Sequence, residues 1–160
     1  MRRLLSLVLA ALVVVADQLS KHWVIGYFAD RTPPLAQRPV APFFNLVLAW
    51  NRGVSFGLFN QDSAWNVVLF SLLAAAIVIG LLVWLRRSES ALVAAGIGFI
   101  IGGAIGNVVD RLRLGAVTDF LDFHWGHWHF PAFNLADSCI TVGVSLLVLD
   151  GLLGKRESLN

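Results

Sequence analysis

Charge is scarce in this chain. Asp, Glu, Lys and Arg make up 14% of its 160 residues, against roughly 25% in an average soluble domain. That shortfall excludes an ordinary water-soluble globule. The 12 basic residues exceed the 10 acidic ones by only two, and none of them forms a basic block, which argues against a nucleic-acid-binding surface. The single cysteine, Cys139, excludes an intrachain disulfide. It reads as a small apolar side chain packed inside a helix. Internal repeats and low-complexity tracts are absent, so the duplicated halves usual in transporters are not expected.

Hydrocarbon replaces charge. Hydrophobic residues make up 58% of the chain and the mean hydropathy is +0.75. A membrane-crossing helix needs roughly 20 mostly apolar residues, and four stretches qualify, at about 4–28, 64–85, 91–110 and 133–153. The expected fold is an all-α membrane protein, a single domain over 1–160. It has four transmembrane helices and a small extracytoplasmic β-sheet on the outer membrane surface. The first stretch follows Met-Arg-Arg, and Val14-Val15-Ala16 mimics a signal-peptide cleavage site. It continues, however, to Trp23 and Tyr27, which suit a membrane interface, so a retained span is expected.

Basic residues set the orientation. Arg2 and Arg3, Arg86 and Arg87, and Lys155 and Arg156 fall on one side of a four-span protein. Both termini are therefore expected in the cytoplasm. The segments around 29–63 and 111–132 then lie outside, although they carry Arg31, Arg38, Arg52, Arg111 and Arg113. Within the outer β segment, about 40–60, apolar residues take nearly every even position (Phe44, Leu46, Leu48, Trp50, Val54, Phe56, Leu58). That period of two predicts strand with one greasy face. Asn51-Arg52-Gly53 supplies turn chemistry, and Pro33, Pro34, Pro39 and Pro42 mark an irregular approach.

Ionisable groups at the edge of hydrocarbon are costly and mark candidate functional sites. Asp137 opens the fourth span and Asp119 lies a short loop upstream; a fold that joined them would create a proton-sharing dyad. Asp17, Asp110 and Asp122 also lie toward the outer end, and position alone does not choose among the five. Asp17 and Lys21 are an i,i+4 pair of favourable polarity, read as structural support. Gly98, Gly102 and Gly106 recur every four residues and read as helix packing. Asp110 beside Arg111 reads as an ion pair capping the third span. Asp137, Thr141 and Ser145 share a helix face, where hydroxyls are expected to bond between helices. Asp150 is assigned no role. His124, His127 and His129 with Asp122 have the donor types for zinc, but their spacing matches no helical zinc motif, and their tryptophan neighbours fit an aromatic belt.

Five blocks in order carry a resemblance. They are Asp17-Gln18-Leu19-Ser20-Lys21, Asn51-Arg52-Gly53-Val54-Ser55-Phe56-Gly57, the run from Gly102 to Arg111, Val117-Thr118-Asp119-Phe120, and Phe133-Asn134-Leu135-Ala136-Asp137-Ser138. Over nearly its whole length the chain resembles the bacterial lipoprotein signal peptidases, also called signal peptidase II. That resemblance implies an intramembrane aspartic endopeptidase, working without cofactor or metal. It would cleave diacylglyceryl-modified prolipoproteins on the amino side of the lipidated cysteine. It implies Asp119 and Asp137 as the catalytic pair, with Asn51, Gly53, Asn107, Arg111 and Asn134 lining or bracing the site. The outer sheet would cradle the substrate, and Trp50, Phe56 and Phe133 are expected in its apolar walls. A monomer in the bacterial inner membrane, in contact with lipid and with its site facing outward, is the expected setting. The rival readings are a small proton- or ion-coupled transporter, a metal-dependent hydrolase built on the histidines, and a structural scaffold.

Overall fold

The computed structural model describes residues 2–30, 36–53, 64–88 and 90–157, with side chains described except at 64 and 154–157. Expectations at Arg31, Pro33, Pro34 and Val54 to Leu58 (Phe56 among them) lie outside the described residues, as do those at the side chains of Lys155 and Arg156. Among the described residues, four helices are long and apolar enough to cross a membrane: α1 (Arg2–Tyr27), α2 (Ala64–Arg87), α3 (Ala91–Leu114) and α4 (Leu135–Glu157). Between them lie β1 (Gln37–Ala41), β2 (Phe44–Asn51), β3 (Val117–Trp125) and β4 (Trp128–His129). The strands form one antiparallel sheet in the order β1-β2-β3-β4.

The third helix is the axle. Lipid gives helices no hydrophobic reason to associate, so close packing of small residues must hold them, and α3 presents glycine on two faces. A Cβ at Gly98 would stand 2.7 Å from the Ser6 carbonyl, and one at Gly102 would stand 2.6 Å from Val13 Cβ, both on α1. On the other face a Cβ at Gly96 would meet the Gly143 carbonyl of α4 at 2.8 Å. The packing role expected for Gly98, Gly102 and Gly106 is borne out. By contrast α2 leans mainly on α3, and exposes Leu69, Leu72, Leu73 and Ile79.

At the basic end, Arg3 donates to the Arg86 carbonyl at 2.6 Å, bringing the first two arginine pairs together. Ser90 caps α3, its Oγ accepting from Val93 N at 3.3 Å. The same hydroxyl bonds Asp150 of α4, which gives Asp150 a tie between helices. The other end of α3 lies beyond the expected stop near 110. The helix runs to Leu114, where Gly115 at φ +73° returns its N–H to the Arg111 carbonyl. Asp110 and Arg111 therefore sit inside the last turns, about 100° apart around the helix. The expected Asp110–Arg111 ion pair does not form.

The sheet differs from expectation in two ways. Half of it comes from 117–129, read from sequence as connecting loop, because β3 alternates less clearly than β2. Also, the period of two does not run unbroken along β2. Asn45 pairs with Asp122, but after a register shift between Leu46 and Ala49, Ala49 pairs with Asp119 and Asn51 with Val117. An extra residue in one strand is a β-bulge, which reverses the facing of everything beyond it. Val24, Phe28, Ala36 and Phe120 form a buried cluster between α1 and the sheet, with Leu46 and Leu48 packed against it.

Candidate active site

Asp119 and Asp137 converge on one residue, Asn134. It stands immediately before α4 and its Oδ1 accepts from Asp137 N at 3.0 Å, while Asp137 Oδ2 accepts from Asn134 N at 3.2 Å. This reciprocal bonding is a capping box, and it anchors the Asp137 side chain to the helix start. The Asn134 amide then turns outward. Its Nδ2 donates to Asp119 Oδ1 at 2.8 Å and to Asn107 Oδ1 at 3.1 Å.

Two further carboxamides complete the shell. Asn51 Nδ2 donates to Asp119 Oδ2 at 3.0 Å, and Asn107 Nδ2 donates to Asp137 Oδ1 at 2.8 Å. The orientation of each amide follows from its other partner, which can only donate. Gly53 N holds Asn51 Oδ1 at 3.1 Å, Asp137 N holds Asn134 Oδ1, and the Lys21 ammonium holds Asn107 Oδ1 at 3.1 Å. Every oxygen of the two carboxylates thus receives an N–H. Asp119 is buried, and that burial, reinforced by the nearby Asp137, raises its pKa to about 7 although Asn51 and Asn134 oppose the rise.

Behind this shell lies a second polar cluster. Lys21 and Asp17 are 2% and 0% exposed and pair at 2.9 Å. Lys21 also reaches Asp110 at 3.1 Å, the contact that replaces the expected Arg111 pairing. Asp110 Oδ2 accepts from Thr118 N at 2.9 Å, and Asp17 Oδ1 accepts from Ala136 N at 3.0 Å. Support for β3 and α4 therefore comes from acids on α3 and α1. Gln18, which sequence reading assigned nothing, donates to Asp110 at 3.0 Å and to the Gly106 carbonyl at 3.2 Å; its place beside Asp17 in an apolar helix was the available signal. Arg111 donates to the Asn107 carbonyl at 3.4 Å and stacks over Phe70 of α2 at 5.2 Å.

Asp137 opens into a cavity of about 680 Å³ whose described lining is Phe130, Pro131, Phe133, Ser138, Ile140 and Thr141 besides Asp137 itself. Phe133 is where the apolar wall was expected; Phe130, Pro131 and Ile140 were not anticipated. Trp50 is exposed and absent from the described lining. Thr141 and Ser145 correct another expectation. Their hydroxyls donate to the carbonyls of Asp137 and Thr141 on their own helix, at 2.9 and 2.8 Å, and both residues are exposed. A hydroxyl satisfied by its own i−4 carbonyl needs no second helix.

Asp122 points away from this centre. Adjacent positions along a strand alternate faces, so Asp119 and Asp122 on β3 face opposite ways. Asp122 accepts from Asn45 Nδ2 at 2.8 Å and meets His129 Nδ1 at 2.9 Å. His124 and His129 stack with ring centroids 5.0 Å apart, a parallel arrangement that does not aim two ring nitrogens at one point. No group of three or more His, Cys, Asp or Glu able to hold a metal occurs among the described residues.

The family model for Signal peptidase (SPase) II matches residues 9–153, which includes every residue of both polar clusters. The chain belongs to the signal peptidase II family. A lipoprotein signal peptidase of Shewanella loihica is 44% identical over 148 residues, covering 91% of this chain and 85% of that relative. One from Burkholderia vietnamiensis is 46% identical over 149 residues, covering 92% and 87%. Among solved structures, a bacterial membrane enzyme determined by the in meso method at 2.3 Å resolution superposes with a TM-score of 0.76 at 29% identity, covering 95% of this chain and 90% of that one. A second, at 1.9 Å, gives a TM-score of 0.72 at 29% identity. Membership in the signal peptidase II family and four apolar helices make this a multi-pass bacterial membrane protein.

Proposed function

We propose that this member of the signal peptidase II family removes the signal peptide from diacylglyceryl-modified prolipoproteins, using Asp119 and Asp137 as an aspartic dyad. The observation that carries the assignment is the shared shell: both carboxylates are held by one asparagine, and each oxygen receives an N–H, beside an apolar cavity.

The chemistry follows from the shell. Two neighbouring carboxylates in a low-dielectric site resist ionising together, so the pair keeps one proton near neutral pH. With its pKa raised to about 7, Asp119 is the better holder of that proton. Ionised Asp137, at the cavity mouth, takes a proton from a water lying between the acids, and the resulting hydroxyl adds to the scissile carbonyl. Asp119 donates its hydrogen bond to the carbonyl oxygen as negative charge develops there. Return of a proton to the departing cysteine amine completes cleavage. No covalent enzyme intermediate forms.

Placement suits the substrate. The acyl chains of a lipidated cysteine hold the scissile bond at the bilayer surface, and the apolar cavity beside Asp137 offers them a wall. We assign the dyad end of the bundle to the extracytoplasmic face, because Arg2, Arg3, Arg86 and Arg87 gather at the other end. Both termini then face the cytoplasm, Asn51, Gly53, Asn107, Arg111 and Asn134 brace the site, and Asp17, Lys21 and Asp110 hold the helices that carry it. One chain supplies all these groups, so a monomer suffices. The sheet lies on the membrane surface and cradles substrate.

The test is cleavage of a diacylglyceryl-modified prolipoprotein by purified wild type, Asp119→Asn and Asp137→Asn. Both variants are expected to fold and to be inactive. Cleavage near the wild-type rate by either one overturns the dyad.

A further inference from the structure

The residue just before each proposed catalytic acid is held by a buried carboxylate from another element. Thr118 N, one position before Asp119, donates to Asp110 Oδ2 at 2.9 Å. Ala136 N, one position before Asp137, donates to Asp17 Oδ1 at 3.0 Å. The two carboxylates meet at Lys21 Nζ, Asp17 Oδ2 at 2.9 Å and Asp110 Oδ2 at 3.1 Å. An ammonium has three donors, and the third goes to Asn107 Oδ1 at 3.1 Å. Thr118, Asp110, Lys21, Asp17 and Ala136 are all buried, so one unbroken polar series runs inside the protein from the backbone of β3 to that of α4.

Joining helices needs no such choice of contact points. The first helix packs chiefly on α3 and only lightly on α4, yet it reaches α4 at the residue next to Asp137. Two glycines of α3 make room for that reach. A Cβ at Gly106 would stand 2.5 Å from Asp17 Oδ2, and one at Gly103 would stand 2.4 Å from the Ala136 carbonyl. Ala136 is thereby gripped at both ends, its N–H by α1 and its carbonyl against α3.

Bonds from Asn51, Asn107 and Asn134 orient the two carboxyl groups. How far apart the strand and the helix stand is a separate quantity. One tie is the backbone bridge between Leu121 and Phe133, where Leu121 N donates to the Phe133 carbonyl at 2.8 Å. A single tie is a hinge. The Lys21 series supplies the second, on the other side of Asp119 along β3. We infer that Asp17, Lys21 and Asp110 are positioning residues that set the gap between Asp119 and Asp137 by holding the backbone beside each acid. The inference rests on the dyad reading above.

The test compares Asp17→Ala with two substitutions on α3. Asp17→Ala frees Ala136 N and leaves Lys21 paired with Asp110. Gly103→Ala presses on the Ala136 carbonyl with the Lys21 series intact. Gly96→Ala is the control: it presses on the Gly143 carbonyl of the same helix α4, where its Cβ would stand at 2.8 Å, about 9 Å along the helix from Asp137. The readouts are kcat and KM on lipidated prolipoprotein, at temperatures where circular dichroism shows each variant fully folded. A misplacement of about 1 Å costs about 100-fold in rate, so Asp17→Ala and Gly103→Ala should each lose about that much kcat with KM little changed. Gly96→Ala should lower the melting temperature and keep the wild-type kcat.

A purely structural tie acts only through melting temperature, so a folded Asp17→Ala protein with wild-type kcat overturns the inference. A Gly96→Ala protein as slow as Gly103→Ala also overturns it, because any strain on α4 would then suffice. If Asp17→Ala does not fold, the two glycine variants decide the matter by the same comparison. Crystal structures read the gap directly: the Asp119 and Asp137 carboxyl groups should stand about 1 Å farther apart in Asp17→Ala than in wild type, and an unchanged gap defeats the inference. The dyad is tested separately. An active Asp119→Asn defeats both readings, whereas a wild-type kcat in Asp17→Ala beside an inactive Asp119→Asn defeats only this one.

Discussion

Asn134 carries two tasks that substitution can separate. As helix cap it satisfies Asp137 N through Oδ1, and as a donor it feeds Asp119 and Asn107 through Nδ2. Asn134→Ala removes both. Loss of the cap costs about 1 kcal/mol, and loss of a donor to a carboxylate costs about 1.5–3 kcal/mol. Adding these gives about 2.5–4 kcal/mol, a large share of the roughly 5–15 kcal/mol that stabilises a typical protein. Asn134→Asp is the sharper change. Aspartate caps a helix as well as asparagine does, so most of the stability survives. The donor, however, becomes a third carboxylate facing Asp119 at hydrogen-bond range. Two charges about 3 Å apart at an effective dielectric near 20 repel by roughly 5 kcal/mol, which the site relieves by taking up protons. Water activation then fails. Cleavage of lipidated prolipoprotein at neutral pH should fall by about 100-fold or more, while the melting temperature stays well above that of Asn134→Ala. An Asn134→Asp protein that cleaves within tenfold of wild type would refute the donor role of this residue.

Three further outcomes are expected. Asp119 has a pKa of about 7 in the folded protein against 3.8 for an ordinary carboxyl, so its proton is present below pH 7 and lost above it. Cleavage should therefore decline as pH rises through about 7, and the stability linked to this group, complete below about pH 4, should drain over the same rise; a rate still climbing at pH 8 contradicts the assignment. Gly106→Ala should lower both melting temperature and activity, because its Cβ would stand 2.5 Å from Asp17 Oδ2, whereas Gly102→Ala meets Val13 and Ala10 and should mainly cost stability, about 1–3 kcal/mol. His129→Asn removes a half-exposed partner of Asp122 and should leave cleavage within about twofold, as should EDTA; a strong loss with either one moves the chemistry to the histidine hairpin.

How much of this was legible in the sequence depended on how local each feature is. The spans announced themselves, because lipid demands long apolar runs. The Asp17–Lys21 pair and the glycine row follow from helical periodicity alone and were read correctly. Asp110 was misread for an instructive reason: adjacency in sequence suggested Arg111, but neighbours on a helix diverge, and its cation comes from α1. Thr141 and Ser145 were read as interhelical because sequence cannot show a hydroxyl turned back on its own helix. Choosing Asp119 and Asp137 from five acids came from family resemblance, since each depends on Asn134 and on contacts across the fold. The β3–β4 hairpin was missed because its tryptophans and histidines blur the two-residue period.

The bulge in β2 has a consequence for how this site tolerates change. Asn45 and Asn51 are both odd-numbered, yet one serves Asp122 and the other Asp119 on the opposite face of β3. The single extra residue between Leu46 and Ala49 makes that division possible. Part of the proposed site is therefore written as a count rather than as a letter. Deleting Val47 or Leu48 would rotate Asn51 toward the wrong carboxylate with every polar side chain still present.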